Sequence, residues 1–141
     1  MKKIMRMVFA GFLLAGCATL EQANVDWIAI GPTFAPTKVK DLEIINGRDD
    51  VKRPYGNLGL LRIKNLRPDR DTLLMAVEKG KKIAASKGAN AIQIGQYNSA
   101  SDGLVSDPRV TLFIYAIKYV DNLTEEDKKA IEEFKLLGNL Q

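Results

Sequence analysis

The chain has 141 residues, a formal net charge of +4, one cysteine and no histidine. Its length fits a single domain, and the lack of histidine excludes a Ser-His-Asp triad. One cysteine also excludes an intramolecular disulfide, so the fold must depend on its apolar core.

The N-terminal segment has the pattern of an export signal. Three basic residues within 1–6 are followed by the uncharged run MVFAGFLL at 7–14 and then by two small residues. This order is typical of secretory signal peptides, and eight apolar residues are too few for a transmembrane helix, which needs about 20. We therefore expect residues 1–16 to be a cleaved signal peptide.

The single cysteine stands directly after this segment. Leu14, Ala15, Gly16 and Cys17 resemble a bacterial lipobox, in which the cysteine sulfur receives a diacylglyceryl group and a peptidase cuts before it. The resemblance implies covalent lipid on Cys17 and no other cofactor, and two or more acyl chains anchor a protein stably. Ala18 replaces the aspartate that retains enterobacterial lipoproteins at the inner membrane, which implies the periplasmic face of the outer membrane. The alternative interpretation of Cys17 is a buried core cysteine.

The charge of the predicted mature chain is nearly balanced. Lys2, Lys3 and Arg6 would leave with the signal peptide, so 18 of the 21 basic residues remain beside 17 acidic ones. Nucleic-acid-binding proteins usually have a clear basic excess. We therefore expect the partners to be a membrane, through the lipid, and an envelope protein, and not a nucleic acid.

A tether is predicted between the cysteine and the domain. Residues 17–36 lack a regular period and contain one glycine and two prolines between 31 and 36. These residue types interrupt regular structure, so we expect a lipidated tether here and a globular domain at 37–120. Trp27 and Ile28 are unusual for a solvated linker. They either dock on the domain or form a patch for the membrane interface or for a partner.

The first part of the domain has two strand patterns. Residues 37–45 predict a first strand, and the Asn-Gly within 46–50 predicts a turn after it. In 58–66, Arg62 and Lys64 alternate with apolar residues. The period of two predicts a half-buried strand whose two cations face solvent.

Residues 69–88 have the clearest helix pattern. Asp69 or Asp71 can cap the first turn, and Gly88 can end the helix. Gly80 lies in the middle of the apolar stripe, where glycine costs about 1 kcal/mol relative to alanine. We therefore expect the helix to pack closely on a sheet at this point.

Two further strands are predicted after this helix. Residues 90–97 begin directly after the helix stop, and 98–108 have the composition of a polar loop. Residues 109–120 are apolar on both faces. That strand should therefore be central in the sheet or covered on both sides.

The C-terminal segment 121–141 contains an amphipathic helix pattern at 124–138, with Phe134 on its apolar edge. Together these elements predict an α+β fold. The expected architecture is a small mixed or antiparallel sheet of about four strands, with one main packed helix and the C-terminal helix.

Several stretches of the chain resemble a group of small bacterial lipoproteins and relatives with RcsF and YbjQ-like folds. They are RPYGNLGLLRI at 53–63, KKIAASKGANAIQI at 81–94 and YAIKY at 115–119. The resemblance covers about residues 36–120 and implies the fold and a lipoprotein identity. RcsF is an envelope-stress sensor with disulfides in its domain, and YbjQ-like members have been labelled metal-binding. Neither property carries over to a chain with one cysteine and no histidine.

No catalytic constellation is evident in the sequence. The acidic pairs Asp49–Asp50 and Asp69–Asp71 are typical of turns and helix starts, and they lack the spacing of an EF-hand. Gly56 and Gly59 are not followed by the Gly-Lys-Ser/Thr of a phosphate loop. We therefore expect neither an enzyme nor a metal site.

The remaining functional prediction is a non-catalytic binding or sensor module of the cell envelope. Trp27, Arg53, Tyr55 and Phe134 are its candidate partner contacts, since exposed loops on a rigid scaffold often carry binding. The alternative is a structural or assembly lipoprotein that docks through its C-terminal helix. That helix could equally cap its own sheet.

Overall fold

The computed structural model describes residues 24–46, 51–95 and 108–138 in full and residues 98–100 by their backbone. In these residues six strands and two α-helices follow in chain order. The strands are β1 Asn24–Ala29, β2 Glu43–Ile45, β3 Tyr55–Leu66, β4 Ala91–Ile94, β5 Asn98–Ala100 and β6 Arg109–Tyr119. The helices are α1 Arg70–Ser86 and α2 Glu125–Gly138, and a short 3-10 helix, Val39–Asp41, precedes β2.

The strands form one mixed sheet with the order β1-β3-β6-β4-β2, and β5 pairs with β6 beside that path. Only the β2–β4 pair of the described sheet is parallel. The long strand β6 lies between β3 on one edge and β4 and β5 on the other. The predicted α+β class, the mixed sheet and the central position of the last strand are therefore confirmed.

The main core lies between α1 and one face of the sheet. Gly80 of α1 faces Ile114 and Leu61 so closely that a Cβ on Gly80 would stand only 3.3 Å from Leu61 Cδ2 and closer still to the end of Ile114. Ile63 and Ile92 are also fully buried in this core. The close approach predicted for the glycine in the middle of the helix is thus confirmed.

Both ends of α1 are fixed by the residues that the sequence singles out. The Asp69 carboxylate accepts hydrogen bonds from Thr72 N at 2.9 Å and from Thr72 Oγ1 at 2.8 Å, which caps the helix. At the other end Gly88 has φ +82°, and the amides of Gly88 and Ala89 bond to the carbonyls of Ala85 and Ala84. This is a Schellman motif, which favours glycine at the left-handed position.

The predicted tether is wrong in the part that the structure describes. Within the segment 17–36, Asn24–Ala29 is a strand that pairs antiparallel with β3, and Phe34 is buried in the core. The edge of β3 offers unpaired backbone groups that β1 satisfies. The folded domain therefore includes β1 and Phe34, which lie before residue 37.

The sheet is also larger than predicted. The expected count of about four strands omits β1 and β5, which lie in the predicted tether and in the predicted polar loop. The first predicted strand, 37–45, is a 3-10 turn followed by only three strand residues. The turn residues 47–50 and the loop residues 101–107 lie outside the described residues.

The C-terminal helix α2 is attached to the domain by its first half. Ala130 and Ile131 pack against the main core, and Asp127 is buried beside Lys118 of β6. The end of α2 is open, with Leu137 67% exposed. The helix thus caps part of its own domain and leaves an apolar tip uncovered.

Candidate functional site

The two faces of the sheet differ in how they are covered. Cross-strand partners share a face and successive residues alternate, so the contact of Leu61 and Ile114 with α1 places Leu60 and Tyr115 on the opposite face. Both described helices pack on the side of Leu61. We call the other side the open face.

One row of side chains crosses the whole open face. The register joins residues of all five strands of the main path, and they are Ile28, Leu60, Tyr115, Gln93 and Ile45. Ile28 is exposed and Leu60 is half-buried, whereas Ile45 is buried. The face is therefore uncovered toward β1 and covered toward β2.

The covered end of the open face has its own small core. Ile45, Ala91, Ile117 and Tyr119 form a cluster against which Val51 packs. The segment between β2 and β3 thus folds over this end of the sheet.

Arg53 ties that segment to the end of β6. Its guanidinium donates to both carboxylate oxygens of Asp121, at 2.8 and 2.7 Å, and lies 4.0 Å from the centre of the Tyr119 ring. The bonds to Asp121 raise the pKa of Arg53 and lower that of Asp121. Arg53, predicted as a partner contact, is thus already engaged by the domain itself.

Tyr119 extends this cluster to β2. Its hydroxyl donates a 2.5 Å hydrogen bond to the carboxylate of Glu43. Burial of the ring and this hydrogen bond raise the pKa of Tyr119 to about 12. The phenol is therefore a neutral donor at any physiological pH, and the cluster serves to hold the cover in place.

A shallow pocket of about 160 Å³ opens on this face beside the cluster. Its lining residues come from β3, β4 and β6, and they are Tyr55, Asn57, Gln93 and Tyr115. Two phenols and two amides provide both donors and acceptors, and none of the four side chains is charged. Tyr55, predicted as a contact residue, lies here and is 39% exposed.

Gln93 is the unusual member of the pocket. It is only 6% exposed, and among the described residues Arg62 Nε alone is a buried side-chain polar atom without a hydrogen-bond partner. The amide of Gln93 therefore meets solvent through the pocket that it lines. Gln93 is not among the site residues predicted from the sequence, although a glutamine between Ile92 and Ile94 in a buried strand is a visible signal.

Trp27 lies on the other face. Its ring packs over Gly59 and against the main core, and Lys87 Nζ lies 5.8 Å from the ring centre. Of the two interpretations offered by the sequence, the structure favours docking on the domain. Phe134 is 42% exposed on α2 and far from the pocket in the fold, since α2 packs on the α1 side.

The buried ion pair under α2 has a structural geometry. Lys118 Nζ lies 3.5 Å from Asp127 Oδ1 and 4.7 Å from the centre of the Phe34 ring. Asp127 also accepts from Thr124 N, and its own amide donates to Thr124 Oγ1, which forms a capping box. Burial alone would raise the pKa of Asp127, but the Thr124 bonds and the Lys118 charge outweigh it and lower the pKa.

The predicted anchor cannot be placed in this geometry. Leu14, Ala15, Gly16 and Cys17 lie outside the described residues, as do Asp49 and Asp50. In the described ranges no helix combines the length and apolarity needed to cross a bilayer. Those same ranges hold no cluster of three or more potential metal-ligating side chains.

Comparison with known proteins supports the fold. No protein-family model matches the chain, and no curated protein matches it in sequence. The crystal structure of the Francisella virulence factor FvfA, in its orthorhombic form, is similar with a TM-score of 0.51 and 18% identity. The match covers 67% of this chain and 97% of that one. This likeness shows a shared fold and leaves the resemblance to RcsF and YbjQ-like lipoproteins as a prediction.

Proposed function

We propose that this chain is a lipid-anchored, non-catalytic binding or sensor module at the periplasmic face of the outer membrane. The anchor is supported by the basic start, the short apolar run and the sequence Leu-Ala-Gly-Cys at 14–17. The binding role is supported above all by the open face, which is uncovered toward β1 and carries a polar pocket.

The short distance between Cys17 and β1 sets where the domain would work. Asn24 lies seven positions after Cys17, and an extended chain spans at most about 3.5 Å per residue. A lipid on Cys17 would therefore keep the start of β1 within about 25 Å of the bilayer. The longer tether expected from the sequence would have allowed roughly 70 Å.

A site-specific crosslink tests the binding role. A photo-crosslinking amino acid in place of Leu60 probes the open face, and the same residue in place of Met75, exposed on α1, is the matched control. In living cells we expect position 60 to form a reproducible adduct that position 75 does not form. Equal patterns at both positions, or no adduct at either, would contradict the proposal.

Fractionation tests the anchor in the same cells. The unaltered chain is expected in the outer membrane, and Cys17→Ser is expected to lose that location because the substituted hydroxyl cannot form the thioether. Unchanged location of the Cys17→Ser variant would contradict the lipid anchor while leaving the crosslinking result interpretable.

A second candidate function is structural, with α2 docking into a larger assembly. The observation that favours it is the exposed tip of α2, where Phe134, Leu136 and Leu137 are 42%, 64% and 67% exposed. The first half of the helix is required by the domain itself. A docking role would therefore fall on this tip alone.

A further inference from the structure

We infer that the pocket on the open face binds one ring of a neutral saccharide, through Gln93, Asn57, Tyr55 and Tyr115. The saccharide site presupposes the binding role proposed above and adds the chemical class of its ligand.

The first reason is the position of the Gln93 amide. The residue is only 6% exposed and lines the pocket, and among the described residues Arg62 Nε alone is a buried side-chain polar atom without a hydrogen-bond partner. The Gln93 amide therefore meets solvent through the pocket. A ligand hydroxyl in the pocket could replace water at both its donor and its acceptor.

The second reason is the combination of groups around it. Asn57 supplies another amide, and Tyr55 and Tyr115 supply two phenol rings. Sugar rings present C–H groups on one face and hydroxyl groups around the rim. Aromatic rings match the first through their flat apolar surface, and amides match the second as paired donors and acceptors.

The third reason is charge. The four lining residues are uncharged. Arg53, Asp121 and Glu43 at the covered end of the open face already bond to one another or to Tyr119, and Arg62 and Lys64 toward β1 already pair with Asp26. A charged ligand would find no counter-ion in the lining. The pocket therefore favours a neutral compound.

Size and backbone pairing decide between a sugar and a peptide. The volume of about 160 Å³ lies below the roughly 300–1,000 Å³ of pockets for drug-sized molecules, which fits one ring of a larger chain. The lining strands β3, β4 and β6 are all interior to the sheet path. An extended peptide binds by adding to a free strand edge, and the backbone at Gln93 and Tyr115 is paired with a neighbouring strand on both sides.

The test uses the full chain and a panel of soluble probes in calorimetry and NMR titration. The probes are an N-acetylglucosamine trimer, maltotriose, a uronic acid oligomer and a blocked alanine dipeptide. We expect the neutral sugars to bind, with the largest shifts at residues of the pocket. The uronic acid oligomer and the dipeptide are expected to bind at least tenfold more weakly.

Two variants locate the binding. Gln93→Leu keeps the volume but removes the amide, and should weaken sugar binding about tenfold, the effect of one or two hydrogen bonds. Tyr115→Phe removes one hydroxyl and should weaken binding by a smaller factor. Leu74→Gln, exposed on α1, is the control and should bind as the unaltered chain does. NMR spectra that retain their dispersion show that each variant is folded.

The outcomes separate the two proposals. Absence of binding to both neutral sugars, preference for the dipeptide, or full affinity in Gln93→Leu would each overturn the saccharide site. An adduct from position 60 in cells would still support the binding role in that case. If the protein binds sugar but is not found in the membrane fraction, the saccharide site is supported and the lipid anchor is contradicted.

Discussion

The indole ring of Trp27 lies on the backbone of Gly59 in the neighbouring strand. A Cβ atom on Gly59 would stand 2.6 Å from Trp27 Cη2 and 2.8 Å from the carbonyl oxygen of Ile28. Only glycine leaves room for this approach, in which β1 is pressed against β3. The contact makes a segment with linker-like composition part of the folded domain.

Gly59→Ala should therefore destabilise the domain. The added methyl group meets an aromatic ring and a backbone oxygen, and the oxygen cannot move without disturbing the β1–β3 pairing. Overpacking of this kind costs about 1–3 kcal/mol. Urea denaturation followed by circular dichroism would measure the loss in free energy of unfolding.

Gly56→Ala in the same strand is the matched control. A Cβ at Gly56 has nothing within 4 Å, so its free energy of unfolding should stay within about 0.5 kcal/mol of the unaltered chain. Equal losses of unfolding free energy in both variants would show that alanine destabilises this strand at any position. The Trp27 contact would then not be the cause.

Asp127→Ala should be among the more damaging changes in α2. It leaves Lys118 buried without its carboxylate and removes the acceptor for Thr124 N. Breaking a buried ion pair costs about 3–5 kcal/mol, and the 3.5 Å separation points to the lower end of that range. Lys128→Ala, which breaks an exposed pair with Glu125, should cost less than about 1 kcal/mol.

The Asp127 carboxylate should also make the free energy of unfolding depend on pH in the acid range. Because folding lowers the pKa of Asp127, its stabilisation is complete above the unfolded value near 4 and is lost as the pH falls through the folded value. Asp127→Asn should therefore flatten the acid limb of a plot of unfolding free energy against pH. An unchanged acid limb would contradict the assigned role of Lys118 and Thr124.

Tyr119 should make the free energy of unfolding depend on pH in the alkaline range. Its pKa is raised to about 12, so its stabilisation is complete below the unfolded value near 10 and is lost as the pH rises from about 10 to 12. Tyrosinate absorbance should show a late titration step, and Tyr119→Phe should remove that step. Absence of a late step in the unaltered chain would speak against the bond to Glu43.

The two halves of α2 should respond differently to polar substitution. Leu137→Gln at the exposed tip should leave the free energy of unfolding within about 0.5 kcal/mol, because the side chain is 67% exposed. Ile131→Ala, which removes a contact with the main core, should cost about 1–2 kcal/mol of unfolding free energy, less than the same change at a fully buried isoleucine.

Leu137→Gln also tests the docking alternative. If this variant folds but no longer co-purifies with an assembly, the docking role of α2 gains support. If the assembly is still recovered, that result weighs against docking.

The elements that the sequence predicts well are those with a strong local signal. Strand β6 is apolar on both faces and is central, and α1 carries its own cap at Asp69 and its own stop at Gly88. Arg62 and Lys64 lie on the face away from Leu61, as their alternation predicts, and both pair with Asp26. In these cases the local pattern and the tertiary packing agree.

The elements that the sequence misses depend on distant partners. Strand β1 exists because it pairs with β3 and because Trp27 meets Gly59, 32 positions later. Arg53 is a plausible exposed contact until its bonds to Asp121 are seen, and these cross 68 positions. The pocket likewise brings Asn57 together with Gln93 and Tyr115 through strand order, which no local pattern encodes.

We propose above that lipid on Cys17 holds this domain on a bilayer, and mass spectrometry of the protein purified from its own membranes would detect that lipid. We expect an N-terminal residue Cys17 that carries a diacylglyceryl group, with residues 1–16 removed. A chain that retains Met1 and has no added mass would contradict it.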